Sequence, residues 1–332
     1  MNPTITTYLS ELHLGSMQSF QNMDVIPIFA THNGGPEYIT LKEALDKNFI
    51  AITELSQSGS VPELKVVNKS AQLVLLLDGE ELIGAKQNRV LNTSVLLKGN
   101  SETIIPVSCT EQGRWSYRSA AFSDSDAMLA SKVRLNKVRS VSASLHQDQS
   151  YRSDQGTVWQ DIHEMHSKAN VTSSTGAMKD VYTSRENELN QYAQTFSYVP
   201  NQQGIVVFID GKVVGMDVLS QKAAFEKIHL KLIKSYAMDA ILDDKKSGTS
   251  GKEAETRTFF KEITGCRESR FASIGLGEDY RFEDKKSLGS ALLFEDQVIH
   301  LAFFRSEEKD TGDRMSGLSH RRGFRGGSGD IV

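Results

Sequence analysis

The chain predicts an α+β fold on three observations. Its first third consists of short apolar or alternating runs broken by turn residues, the pattern of antiparallel strands. From Asp124 the apolar spacing changes to that of helices. Beyond Asn201 two strand pairs return, Ile205–Ile209 with Lys212–Val218 and Ser290–Phe294 with Val298–Phe304, each across an acidic tight turn. The expected layout is an N-terminal antiparallel β sandwich or barrel-like layer over residues 1–122. A helical middle with C-terminal hairpins and helices, 123–305, packs on it, and a disordered tail occupies 306–332.

Taken in order, Asn2–Gly15 supplies a lead-in helix or arm carrying Tyr8, Leu9, Leu12 and Leu14. Val25–Ala30 reads as a strand, and Pro27, having no N–H to give, places it at a sheet edge. Thr40 and Glu43 have the form of a capping box and open a brief helix to Lys47. Strands follow at Phe49–Leu55 and Glu63–Asn68, joined by a loop over Gln57–Pro62. Leu73–Leu77 is continuously apolar, which suits a strand covered on both faces. Asp78-Gly79 after it has the chemistry of a two-residue hairpin turn. The return, Glu80–Gly84, puts Glu80 on one face and Glu81 on the other, so the two cannot serve one substrate as a glycosidase-like acid and base. Val90–Leu97 and Thr103–Cys109 extend the sheet, with Ile105, Val107 and Cys109 on one face, Glu111 continuing that face and Arg114 opposite.

In the middle, Leu129, Val133, Val138, Val141 and Leu145 mark a helix. Its Lys132, Arg134, Lys137 and Arg139 read as a solvated basic face rather than a nucleic-acid contact. Gly156–Ala169 is a helix with Val158, Ile162, Met165 and Ala169 as its buried stripe. Its His163 and His166 lack the spacing of a metalloprotease helix, so no metal site is read from them. Tyr182–Phe196 reads as a third helix. Gln221–Leu242 is a long amphipathic one with Ala224, Ile228, Leu232, Tyr236 and Ala240 inward. Asp243–Lys252 is the clearest flexible stretch, and Glu253–Thr264 a helix ended by Gly265. Neither Gly248–Lys252 nor Gly275–Gly277 keeps the spacing of a phosphate loop or dinucleotide fingerprint, and no motif names a cofactor.

The bulk numbers exclude several classes. With 332 residues, 39% hydrophobic and 24% charged, the composition is that of an ordinary globular protein. A net charge of −4 gives no overall attraction to nucleic acid or to an anionic membrane. The tail's Arg321-Arg322-Gly323 and Arg325-Gly326-Gly327 form too short a tract to carry an RNA-binding reading. Cys109 and Cys266, the only cysteines, argue against a disulfide framework. Without a signal-peptide pattern or a membrane-length apolar run, a cytoplasmic location is expected.

Polar chemistry concentrates between Leu73 and Tyr117. Glu81 or Glu111 is the candidate general base. Glu80, Gln87, Asn88, Arg89, Asn92, Arg114 and Trp115 form the candidate ligand-binding set, in which Arg89 or Arg114 forks a phosphate or carboxylate. Cys109 is a candidate nucleophile, although no histidine lies in the motif.

The segments LLLDGEELIGAKQNRVLNTSVLL and IPVSCTEQGRW carry a resemblance, together with LGSMQSFQNMDVIPIFA and PEYITLKEALDKNFIAITE before them. They resemble the ARG-and-Rhodanese-Phosphatase-superfamily-associated protein family. That name implies association with ADP-ribosylglycohydrolase and rhodanese/phosphatase-type proteins, and so a link to ADP-ribose or NAD-derived metabolites. The resemblance assigns no reaction. Two functions are expected: binding or processing of a phosphorylated nucleotide metabolite in a Glu/Asn/Arg-lined β-sheet site, or a non-enzymatic scaffold that recruits a partner enzyme. The first requires those polar side chains to meet around one accessible hollow.

Overall fold

The computed structural model describes residues 1–31, 35–56, 62–243 and 253–306. The chain opens with α1 (Pro3–Ser10), β1 (Leu12–Leu14), β2 (Gln18–Phe20), β3 (Met23–Ala30), β4 (Tyr38–Thr40), α2 (Leu41–Asp46), β5 (Ile50–Glu54) and β6 (Glu63–Asn68). It continues through β7 (Leu73–Leu76), β8 (Glu80–Gly84), β9 (Arg89–Leu91), β10 (Val95–Leu97), β11 (Ser101–Cys109) and β12 (Phe122–Met128). Helices α3 (Ser131–Asp148), α4 (Gln155–Ala169), α5 (Met178–Ser184) and α6 (Glu186–Thr195) follow. The last part holds β13 (Gly204–Ile209), β14 (Lys212–Leu219), α7 (Lys222–Leu242), α8 (Glu253–Thr264), β15 (Arg267–Ala272), β16 (Glu278–Glu283), β17 (Ser287–Phe294) and β18 (Gln297–Arg305).

The α+β expectation holds, and three sheets carry it. The largest runs β1-β3-β13-β14-β18-β17-β16-β15, with β2 also on β3, so it draws strands from both ends of the chain. Side chains alternate along its strands. Ile205, Val207 and Ile209 therefore meet α3 and α7, while Val206 and Phe208 meet α1 and α8 on the far face. The second sheet, β12-β8-β9-β11-β6-β5, curls into a half-barrel in which β12 approaches β5. Its inner face packs Ile52, Leu64, Val66, Leu82, Leu91, Ile105 and Val107 against Leu41 and Ala44 of α2. β10-β7-β4 forms the third sheet, and α7 touches both large sheets through β12 and β14.

Local chemistry explains several elements directly. The Thr40 hydroxyl accepts from the Glu43 N–H while the Glu43 carboxylate accepts from the Thr40 N–H, the capping box read from sequence. In α4, Val158, Ile162, Met165 and Ala169 are all buried, and Asp154 caps the helix start. The hairpins at Asp210-Gly211 and Glu295-Asp296 have left-handed φ at both central residues, 48° and 76° in the first and 50° and 55° in the second. That is the geometry a two-residue hairpin turn requires.

Other expectations are corrected. Asp78-Gly79 makes no hairpin: β7 pairs with β10 and β4, whereas β8 pairs with β9 and β12. Only Gly79 is left-handed there (φ 87°), so the turn closed by Glu80 N–H on the Leu77 carbonyl passes the chain from one sheet to another. Pro27 lies inside a sheet rather than at an edge, because β1 and β2 pair with β3 on either side of it and leave a gap where its missing N–H is not needed. Phe122–Met128 is a strand against β8, not the start of a helix. The helix expected over Tyr182–Phe196 is divided into α5 and α6 at Arg185. The supposedly solvated basic face of α3 is also overturned: Arg134 and Lys137 are fully buried.

No helix among the described residues is long and apolar enough to cross a membrane. Residues 57–61 of the expected loop, residues 244–252 of the expected flexible stretch, and the tail beyond Ser306 lie outside the described residues.

Candidate functional site at the mouth of the curled sheet

Most of the inner face of the half-barrel is apolar, and three polar groups gather at one end. Arg89 lies two residues from Leu91, Glu54 two from Ile52, and Cys109 two from Val107, so strand alternation points all three polar groups inward. Arg89 and Cys109 face each other across β9 and β11. The guanidinium donates through Nη1 to the Gln87 amide oxygen at 2.9 Å and to the Cys109 sulfur at 2.6 Å. Its Nη2 approaches a Glu54 carboxylate oxygen at 3.7 Å, too far for a hydrogen bond. Arg89 Nε and Nη2 and both Glu54 oxygens are buried without hydrogen-bond partners. An unmet buried polar group costs about 1–3 kcal/mol, and four of them lie in this one place.

The mouth is covered by the loop after β11. Trp115 packs over Arg89, ring centroid 5.6 Å from the guanidinium carbon, and is 47% exposed. The Lys86 ammonium lies 5.1 Å from the Trp115 ring centroid and 5.2 Å from that of Tyr117, which is 50% exposed. Arg118 extends from the same loop with an exposed side chain. The result is a cationic edge flanked by two aromatic faces.

Arg114 anchors this loop and is saturated. It donates to Glu111 from Nε at 2.8 Å, to the Ala85 and Ser116 carbonyls at 2.8 Å each, and to Asn88 at 3.1 Å. Arg114 therefore turns back onto Glu111 instead of facing away from it, and no fork remains for a phosphate. Burial alone would raise the Glu111 carboxyl, but bonds from Arg114 and Thr175 hold it below the ordinary range. Glu81 contrasts with it. Burial pushes its pKa up to about 7, against hydroxyl contacts from Thr110 and Ser125. Burial also raises the Cys109 thiol to about 11, opposed by the charge of Arg89, which favours the neutral thiol. The backbone of Cys109 is clasped by Gln155, at 2.7 Å through N–H and 2.9 Å through the carbonyl.

The sequence-predicted residues thus divide. Gln87, Arg89, Cys109 and Trp115 meet at the mouth; Asn88, Glu111 and Arg114 form its anchor, with Glu81 behind. Glu80 is committed to Lys231 of α7 at 2.7 Å and does not join the mouth. Asn92 is taken by the Tyr151 carbonyl and the Ser108 hydroxyl. Sequence reading missed Glu54, Lys86 and Tyr117. Glu54 carries no local signal, since only the curl of the sheet brings it to Arg89.

A profile of the ARG and Rhodanese-Phosphatase-superfamily-associated Protein domain matches residues 11–304. The chain belongs to that family. No curated protein and no solved structure gives a match.

This family member has a second buried polar cluster that sequence reading also missed, between the sheets. Arg134 grips Asp217 through both terminal nitrogens, at 2.6 and 3.0 Å, and Tyr236 donates to the same carboxylate at 2.7 Å. Burial would raise Asp217, but Arg134 outweighs it and holds the carboxyl at about 2. Lys137 contacts the Asp78 carboxylate and donates to the Leu91 carbonyl at 2.8 Å. Ser94 accepts from the Asp78 N–H and contacts His300, both at 2.9 Å. Ser94, His300 and Asp217 have the residue types of a hydrolytic triad, yet all three are buried in the core, which fits a structural cross-tie. Glycine suits position 79 here: its φ is 87°, and a Cβ would lie 3.1 Å from the Arg134 side chain.

A cavity of about 1060 Å³ lies elsewhere, walled by Lys132, Asp161, Glu164, Asp239 and Arg305 among others. None of the sequence-predicted site residues lines it.

Proposed function

We propose that this protein binds a phosphorylated nucleotide metabolite of the ADP-ribose or NAD class at the mouth of the curled sheet. The observation that carries the reading is Trp115: half exposed on its outer face, it covers an incompletely paired Arg89 and flanks Lys86 with Tyr117. An exposed aromatic face stacks a base, worth about 1–3 kcal/mol per base. Arg118, its side chain 65% exposed, supplies charge for phosphates at the rim, with the buried Lys86 behind it. Mouths of β-barrels are a recurrent place for small ligands. The ligand class comes from the family description, whose association with ADP-ribosylglycohydrolase systems fits an ADP-ribose-like molecule.

The role supported best is recognition. Glu111 is committed to Arg114, and Glu81 is enclosed beneath the loop. Calorimetry with ADP-ribose and NAD tests the reading: saturable heat is expected from wild type and at least a tenfold weaker response from Trp115→Ala. Absence of heat at millimolar ligand with folded wild-type protein removes it.

The paired, closed state of Glu80, Asn88, Glu111 and Arg114 favours a second reading, a scaffold that recruits a partner enzyme of ADP-ribosylglycohydrolase type. That reading predicts silent nucleotide titrations together with direct binding of such an enzyme.

A further inference from the structure

We infer that Glu54 and Arg89 form a subsite for a vicinal diol, the ribose of a nucleotide, beneath Trp115; the inference rests on the mouth being a nucleotide site. Arg89 Nη1 is fixed by Gln87 and Cys109, which leaves Nη2 3.7 Å from a Glu54 oxygen and Nε without a hydrogen bond. Two donors and two carboxylate acceptors are therefore buried without hydrogen bonds, joined only by the long Nη2–Oε1 ion pair. Two neighbouring hydroxyls match that inventory: both hydrogens go to the Glu54 oxygens, and both oxygens accept from Arg89.

The charges exclude other visitors. A phosphate or carboxylate would gain Arg89 but meet Glu54, and an ammonium would meet the reverse conflict. A neutral group with equal donors and acceptors suits a pair of zero net charge. Phosphates then remain outside with Lys86 and Arg118, and the base stacks on Trp115. Entry requires the Trp115 ring to turn outward, since Arg89 and Glu54 are 0% and 9% exposed beneath it.

The test is calorimetry of the full chain with AMP and with 2′-deoxy-AMP, which differ by one hydroxyl. At least tenfold tighter binding of AMP is expected, and Glu54→Gln, checked for folding by its melting curve, is expected to narrow the difference below threefold. Equal binding of the two nucleotides by wild type overturns the diol subsite and leaves the stacking surface standing. Binding of neither overturns both. A tenfold preference that persists in folded Glu54→Gln assigns the hydroxyl to other residues and overturns the role of Glu54.

Discussion

Two buried arginines, Arg134 and Arg89, sit in opposite situations. Arg134 holds Asp217 through two short bonds, shares it with Tyr236, and is stacked on Phe304. Arg89 meets Glu54 at 3.7 Å with one edge unused, and its cover is a half-exposed tryptophan on a loop. Burying ions is costly, and close, well-bonded geometry is what offsets it. Arg134 meets that condition at Asp217 and ties α3, α7, β14 and the turn after β7 together, although its Nε, Asp78 Oδ2 and His300 Nε2 make no hydrogen bond. The Arg89–Glu54 pair has no hydrogen bond between its members at all. Burial alone therefore does not separate the two arginines; whether the ion pair closes to hydrogen-bond distance does.

That contrast can be broken by measurement. Arg134→Ala strands Asp217 without its partner, and a loss of about 3–5 kcal/mol in denaturant unfolding is expected. A loss under about 1 kcal/mol would mean the central cluster ties nothing together.

Glu81, a buried carboxyl behind the mouth, sharpens the contrast through pH. Its folded pKa of about 7 lies above the ordinary 4.5, so the folded state holds the extra proton between those values. The group's contribution is full below pH 4.5 and lost as pH rises through 7. Glu81→Gln should accordingly gain on wild type by about 3 kcal/mol across that window and then stay level. Parallel stability curves from pH 4 to pH 8 would show that Glu81 titrates normally.

Trp115→Ala is expected to weaken ADP-ribose binding at least tenfold, about 1.4–3 kcal/mol, while leaving the melting temperature nearly unchanged, because the ring is half exposed. Equal losses in binding and stability would make Trp115 a packing residue. Glu54→Gln without ligand leaves Arg89 buried with no anionic partner, and because the pair it removes is stretched to 3.7 Å, a loss of about 1–3 kcal/mol is expected, below that of Arg134→Ala. A loss as large as that of Arg134→Ala would erase the distinction between the two arginines.

Short-range signals in the sequence were reliable where the physics is short-range. The Thr40–Glu43 box, the α4 stripe and the Asp210-Gly211 hairpin were legible because a few neighbouring residues decide each one. Asp78-Gly79 shows the limit. The same dipeptide adopts another turn because its strands find partners elsewhere, and because Lys137 and Arg134 gather at the Asp78 carboxylate. Arg134 and Lys137 were misread for a related reason: the α3 pattern gives charge and period, but not that two sheets enclose the helix. At the mouth, Gln87, Arg89, Cys109 and Trp115 were legible as a polar cluster in neighbouring strands. Glu54 was not, because it reaches Arg89 only through the curl of a sheet whose edges are distant in sequence.

The most direct test follows Trp115 itself. Trp159→Phe leaves it as the sole tryptophan of the chain. Titrating this variant with ADP-ribose should shift or quench the emission along a saturating curve, as the base covers the ring and Lys86 is drawn to phosphate. Emission unchanged up to millimolar ADP-ribose, in protein with an intact melting transition, would contradict ligand recognition at the mouth.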